Sequence, residues 1–327
     1  MQIVSAGKEE QLCLDRRFTS AEQCTEIWRF LGCDYQWIQL SPGPMKGRIR
    51  VMCQQDMILV SIQADQALLV QGGRNPDWVP FTIEHSDNIA EHRHFGEAVS
   101  PRTLGGFNTR LDQTLLRTSP GGSQIGAALL HRRRIESMAT FDPCGRFKDH
   151  LDGSNTAVLS KNSHDQLKQL MAVPAWKGAD APGSFQADLL EAQLFDALVS
   201  ETGSCVRPVT QTHRSDLVRE VVEFSFRNRQ TPMTLQEVCG ALFTTKTTLT
   251  VSCREMFGFG PMLLLKRVRL QQVHHVLSNP DLQRQLGCCT IHAVSSYFGF
   301  YSRNHFSRDY RALFGESPRD TLHRSAA

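Results

Sequence analysis

The sequence predicts an α+β chain, with a β-rich N-terminal domain and an all-α C-terminal domain of two helix-turn-helix units joined by a linker helix. Three observations carry this prediction. Residues 290–319 place two amphipathic segments on either side of a glycine-containing turn, residues 234–258 repeat that unit, and residues 48–122 hold short Val-, Ile- and Leu-rich runs separated by turn signals.

In the later unit, Ile291 and Val294 lie three apart and share one side of a first helix. Gly299 supplies a turn position open to positive φ, and Ser302 is placed to cap the next helix. Phe306, Tyr310, Leu313 and Phe314 then fall at spacings of three and four, forming a core-facing stripe. The outward side is left with Arg303, Asn304, Ser307, Arg308 and Arg311. Arginine suits phosphate or guanine and asparagine suits adenine, so this face fits a helix entering a major groove. A solvated basic surface would have the same composition, and the second copy decides between them.

Counted from Thr245 as a cap, Leu249, Cys253 and Gly258 take the offsets that Phe306, Tyr310 and Gly315 take from Ser302. Upstream, Thr234 and Val238 match Thr290 and Val294. Repeats of one unit are hard to explain by chance. The outward positions of the first reading helix are Lys246, Thr247, Thr250 and Val251, whose methyl groups suit thymine. Residues 261–277 contain no internal glycine or proline and read as one helix of about 25 Å. Two helices held on such a connector reach successive major-groove segments about 34 Å apart.

These residues resemble the AraC/XylS family of bacterial transcription regulators. The resemblance rests on Arg267-Val268-Arg269-Leu270, Gly299-Phe300, Phe306-Ser307-Arg308 and Phe314-Gly315-Glu316-Ser317-Pro318, and covers about residues 214–324. The first unit departs from the family pattern at Leu242-Phe243-Thr244, where a small residue is usual, and at Cys253, where phenylalanine is preferred. The resemblance implies a transcription activator whose partners are double-stranded promoter or operator DNA and RNA polymerase. It also implies a cupin-like N-terminal barrel that binds a small-molecule effector or mediates homodimerisation.

Charge is distributed in keeping with this. Residues 205–327 carry 16 Lys and Arg against 9 Asp and Glu, whereas residues 1–204 carry 20 against 24. Positive charge thus concentrates on the helix-turn-helix units, as phosphate contact requires. The ten cysteines are scattered without a Cys-x-x-Cys pair, and no secretory or membrane-spanning run is evident, so the expected location is the cytoplasm. No nucleophile-base-acid arrangement points to an enzyme, and no cofactor is expected.

The domain plan is residues 1–200 for the β-rich domain with flanking helices, 201–212 for a linker and 213–327 for the double helix-turn-helix. Residues 48–70 alternate poorly but break at Gln54-Gln55-Asp56 and Ala64-Asp65-Gln66, which predicts strands between turns. Later turn signals at Gly72-Gly73, Asn75-Pro76, Ser100-Pro101, Gly105-Gly106 and Pro120-Gly121-Gly122 extend the series to a barrel or sandwich. Residues 20–30 read as a helix capped by Ser20 with Gln23 in the reciprocal position. Asn162-Ser163 is expected to cap a helix that packs on the barrel, and Ser184 a second, dimerising helix through Val199. The basic run His131-Arg132-Arg133-Arg134 is expected to be a charged face at a strand end. An alternative function, a metal-binding cupin-type enzyme or sensor, would rest on His92, His94 and Glu97 with His131 as the distant ligand.

Overall fold

The computed structural model describes residues 12–54, 56–173, 186–199, 205–208, 213–228 and 232–326. The first half is built from β1 (Leu12–Phe18), α1 (Ala21–Phe30), β2 (Asp34–Gln39), β3 (Gly47–Gln54), β4 (Met57–Ala64), β5 (Leu68–Gly73) and β6 (Trp78–Glu84). It continues through β7 (Arg93–His94), β8 (Glu97–Ala98), β9 (Thr103–Gly105), β10 (Gln113–Arg117), β11 (Ser123–His131), α2 (Arg132–Ala139), α3 (Arg146–Gly153), β12 (Ser154–Val158), α4 (Lys161–Leu170), α5 (Ala187–Val199) and β13 (Cys205–Pro208). The strands form an antiparallel large sheet, ordered β1-β3-β4-β11-β6-β9-β12-β13, and a smaller one, ordered β2-β5-β10-β7-β8.

The run that alternates poorly in sequence, residues 48–70, becomes three strands with breaks where the turn signals stand. Its lack of alternation has a physical cause: the sheets are covered on both faces. Along β4, Ile58, Val60 and Ile62 point into the core between the sheets, where Tyr35, Trp37 and Val70 meet them. Met57 and Leu59 point the other way, into a second core with Ile135, Phe147, Leu167 and Leu194 from α2 to α5. Strand period 2 is intact, but both halves of it are apolar.

Several local expectations are corrected. Ser20 precedes α1 but makes no side-chain cap bond, and Gln23 Oε1 accepts at 2.8 Å from the amide of Thr19, one residue before the cap, rather than from that of Ser20. The cap of α4 is Ser160, two residues before the expected pair, and its hydroxyl accepts from the Ser163 amide at 3.1 Å. Ser184 lies outside the described residues. The helix it was expected to start, α5, turns Leu190, Leu194 and Leu198 into the same core as α4 instead of keeping that face for a second copy. Within the expected linker, Cys205–Pro208 pairs with β12 as an edge strand. The basic run opens α2, where Arg132 donates to the carbonyl of Thr109 at 2.9 Å, and Arg133 and Arg134 pair with Asp56 and Glu191.

The second half is α6 (His213–Arg227), α7 (Leu235–Ala241), α8 (Lys246–Phe257), α9 (Pro261–Leu277), α10 (Pro280–Gln285), α11 (Ile291–Tyr297), α12 (Arg303–Phe314) and α13 (Pro318–Ala326). The expected linker helix is α9, with Pro261 in its first turn, where a missing N–H costs nothing. Among the described residues no helix is long and apolar enough to cross a membrane.

Candidate nucleic-acid interface

Each helix-turn-helix unit starts from a threonine. Thr234 forms a capping box on α7: its hydroxyl accepts from the Glu237 amide at 3.3 Å, and the Glu237 carboxylate accepts from the Thr234 amide at 2.7 Å. Thr290 caps α11 and Thr245 caps α8, each through an amide at 3.1 Å. Ser302 holds the cap position of α12 but makes no side-chain bond. Gly258 and Gly315 close α8 and α12 in the left-handed region, at φ +77° and +72°.

The overlay of the two units holds in three dimensions. Leu249, Cys253, Met256 and Phe257 are buried on α8, and Phe306, Tyr310, Leu313 and Phe314 on α12. On the opposite faces Arg303, Asn304, Ser307, Arg308, Lys246, Thr247 and Val251 are exposed, and Thr250 is half-buried. Arg308 has Asp309 at 3.5 Å, but Lys266 of α9 holds that carboxylate at 3.0 Å. The arginines of the Arg-x-Arg-Leu segment serve packing: Arg267 lies 4.2 Å over the Phe259 ring and Arg269 5.2 Å over the Phe300 ring.

The turns differ. Gly299 sits at φ +75°, with Pro232 so close that an added Cβ would meet it at 2.7 Å. The matching position in the first unit is Phe243, held at φ +48° with its ring 98% exposed. A left-handed non-glycine residue costs about 1–2 kcal/mol, partly offset by the freedom glycine adds to the unfolded chain. Phe243→Gly is therefore expected to stabilise the protein by about 0.5–1 kcal/mol in denaturant melts. A loss of stability would show that the ring itself holds the turn.

The β-rich domain grips both α8 and α12 at their C-terminal ends. The Gln39 side chain donates to the Leu313 carbonyl at 2.8 Å, and the Gly43 amide donates to the same oxygen at 3.0 Å. Arg117 of β10 donates to the Met256 carbonyl at 3.0 Å. Carbonyls in the last turn of a helix have no intrahelical donor, and here the barrel supplies it for α8 and α12 alike. Gly315 lets Pro44 approach, since a Cβ there would lie 2.6 Å from Pro44 Cδ.

A charged group is locked into the same junction. His274 of α9 is buried, with Nδ1 3.5 Å from Glu22 of α1 and Nε2 3.5 Å from Glu316, just past α12. Burial alone would depress this imidazole, but the two carboxylates outweigh it and raise it to about 9. Glu316 also takes a bidentate contact from Arg324 at 2.6 and 2.7 Å. Burial opposes ionisation of Glu316, yet His274, Arg324 and Thr321 together hold its carboxyl well below the usual range. Nothing local in the sequence marks this cluster, because Glu22 stands 252 residues before His274 and Glu316 a further 42 after it, and their types are ordinary.

Between the sheets lies a cavity of about 390 Å³, walled by aromatic and aliphatic groups such as Trp28, Tyr35, Trp37 and Val70, with Arg74 and Lys168 among its polar residues. Tyr35 and Trp37 alternate along β2 and so face the same way, which is the one trace of this cavity in the sequence. The expected His92, His94 and Glu97 set is not assembled. His92 is buried between Ser119 Oγ at 2.8 Å and Glu84 at 3.0 Å, whereas Glu97 is exposed on β8. His94 contacts the Asn155 amide at 3.0 Å, and burial, with Arg74 nearby, lowers it to about 3. His131 caps α2. Among the described residues no group of three or more His, Cys, Asp or Glu is placed to hold a metal ion. The vicinal cysteines diverge, with Cys288 buried and Cys289 exposed.

Two capped, glycine-closed units on one connecting helix define a double helix-turn-helix protein. A family model described as a helix-turn-helix domain matches residues 238–324. The regulatory protein HrpB of Ralstonia nicotianae is 22% identical over 275 residues, 77% of this chain and 56% of that protein. The XylDLEGF operon transcriptional activator 2 of Pseudomonas putida is 28% identical over 102 residues, 31% of this chain and 62% of that protein. A crystal structure of a probable AraC family transcriptional regulator from Rhodopseudomonas palustris is 33% identical, covering 34% of this chain and 97% of that one, with a TM-score of 0.29. Over its helix-turn-helix part the chain is similar to transcription regulators of the AraC/XylS kind. It spans just over half the length of the first of these curated relatives and about three-fifths of the second.

Proposed function

We propose that the chain activates transcription by binding double-stranded promoter or operator DNA sequence-specifically, with α8 and α12 entering successive major-groove segments. The observation that carries this reading is that both helices bury one stripe and expose the opposite one, while the β-rich domain donates hydrogen bonds to their C-terminal carbonyls. On α12, Arg303, Asn304, Ser307 and Arg308 read bases. On α8, Lys246, Thr247, Thr250 and Val251 position the protein and contact thymine methyls. The barrel cavity takes a small, largely apolar effector, in keeping with its lining. RNA polymerase is the partner of the activating role, and homodimerisation pairs two such readers on adjacent half-sites. The protein works in the cytoplasm and catalyses no reaction.

Mapping bound sites across the genome supplies the target sequence, and half-site spacing then reports the oligomeric state. On that sequence, Asn304→Ala or Arg308→Ala should weaken specific binding by about 5- to 150-fold, equivalent to about 1–3 kcal/mol, with little change on unrelated DNA. Anisotropy titrations at one fixed salt concentration measure both. Full specificity in both variants would remove α12 from the reading role.

A further inference from the structure

The two helix-turn-helix units close their turns in the same way. In the first, the Phe243 amide donates to the Gly240 carbonyl at 3.4 Å and the Thr244 amide to that of Cys239 at 3.0 Å. In the second, the Gly299 amide donates to the Ser296 carbonyl at 3.0 Å and the Phe300 amide to that of Ser295 at 2.9 Å. The second unit then has one residue more, Tyr301, before its cap position Ser302. By these two routes each unit carries a bare aromatic ring just ahead of its second helix. Phe243 is 98% exposed and Tyr301 73%, and of the large apolar side chains among the described residues only Phe141, at 75% in the connection between α2 and α3, matches them. Neighbouring apolar side chains turn inward: Leu242 packs on the core of the first unit, and Phe300 lies against Phe306 with ring centroids 5.3 Å apart.

An exposed ring that stands alone needs no explanation, but this pair repeats one placement. Phe243 holds its ring out from a left-handed backbone, at φ +48°, that glycine would adopt without strain. Standing two positions before the Thr245 cap, it lies within about 7 Å of it, and Tyr301 adjoins Ser302 directly. Both rings therefore flank the N-terminal ends of α8 and α12, opposite the carbonyls that accept from the β-rich domain. It is the N-terminal part of the second helix that reaches base edges when a helix-turn-helix docks. The first helical residues there, Lys246 and Arg303, are exposed, and neither has an acidic partner among the described residues. A cation suited to phosphate and a ring thus stand side by side at the same end of each helix.

We propose that Phe243 and Tyr301 are contacts to the DNA backbone, each pressing its ring against deoxyribose at the edge of the groove its helix enters. This rests on the reading of α8 and α12 as groove-entering helices, and it adds a role that the base-reading residues do not cover. In an intact duplex each base is stacked on its neighbours, so the apolar surface offered at a groove edge is the C–H face of the sugar. Sugar contacts fix register and orientation without reading sequence. The contact buries apolar surface and releases no counterion, so it adds affinity equally on any duplex and leaves the salt dependence alone.

The test is anisotropy titration of the full-length protein on a duplex carrying a mapped site and on an unrelated duplex of equal length, each over a series of salt concentrations. Phe243→Asn, which tolerates the left-handed turn, and Tyr301→Ala should each weaken binding to both duplexes by about four- to tenfold, the effect of burying roughly half of an aromatic side chain. The slope of log affinity against log salt should stay at the parent value, whereas Lys246→Ala should reduce its magnitude by about one. Phe243→Gly should melt no lower than the parent and still bind as weakly as Phe243→Asn, which separates the contact from folding. Phe243→Tyr and Tyr301→Phe should bind as the parent does. The proposal is overturned if Phe243→Asn or Tyr301→Ala binds both duplexes as the parent does, an outcome that with reduced transcription would assign the ring to polymerase, or if the loss is confined to the mapped site. A parent that binds neither duplex would remove the groove-entering role and the ring contacts together. Loss in the aromatic variants with full specificity in Asn304→Ala and Arg308→Ala would instead remove α12 from base reading and leave the ring contacts in place.

Discussion

A His274→Ala protein is expected to lose about 3 kcal/mol of stability and to loosen the docking of its two domains. Removing one member of a buried ionic group leaves the others uncompensated, which is costlier than the group was ever stabilising. Here the abandoned charge is Glu22, since Glu316 keeps its bidentate contact from Arg324. The pH dependence gives the sharper signature. The folded imidazole titrates near 9, above its ordinary value, so its contribution is complete below about 6.5 and disappears as pH rises through 9. Glu22 and Glu316 are shifted downward, so their contribution is present above the usual carboxylate range and is lost as pH falls through the folded values. The parent should therefore hold its plateau on the weakly acid side, up to about pH 6.5, and weaken from there to about pH 9, and His274→Ala should lack that limb. Denaturant melts from pH 5 to 10 measure both, and an identical alkaline limb in the two proteins would take His274 out of the junction.

What could be read in the sequence was local. Threonine caps at Thr234, Thr245 and Thr290, the glycine closures and the uninterrupted residues 261–277 each leave a signal within one helical turn, and each is found in place. The outward faces of α8 and α12 were legible for the same reason, since helical spacing alone separates them from the buried stripe. Strand breaks around β4 were legible, but the faces of β4 were not, because apolar cover on both sides erases the alternation that marks inside from outside. Cys205–Pro208 looked like a linker because an edge strand of four residues has too little pattern to stand out beside Gly203 and Pro208. The three histidine-cluster residues shared a spacing on paper, but a two-residue strand followed by a turn sends His94 inward and Glu97 outward. Nothing local announces the junction formed by Gln39, Arg117 and His274, which exists only through contacts across more than a hundred residues.

Cys253 shows how a local departure is resolved at a distance, and it leads to the second large expectation. A small thiol stands where the family prefers phenylalanine, yet it is fully buried. The missing volume is met by the barrel: Ile38, Leu69 and Leu115 from the outer face of the smaller sheet join Leu249, Cys253, Phe257 and Leu264 in one core. The second unit differs, since among the described residues its core of Val273, Val294, Phe306, Tyr310 and Phe314 contains none from the β-rich domain. Leu69→Ala should therefore remove about 2–5 kcal/mol, the usual cost of deleting a fully buried leucine, and should do so unevenly. Amide hydrogen exchange is expected to accelerate in α6 and α8 while α12 keeps its protection, and binding should shift toward dependence on the second unit alone. Equal loss in α8 and α12 would mean that the two units open together. The weaker base-reading composition proposed for α8 and its reliance on the β-rich domain would then be unrelated, whereas unequal loss ties them: the unit proposed to read less would be the one through which the N-terminal domain can act.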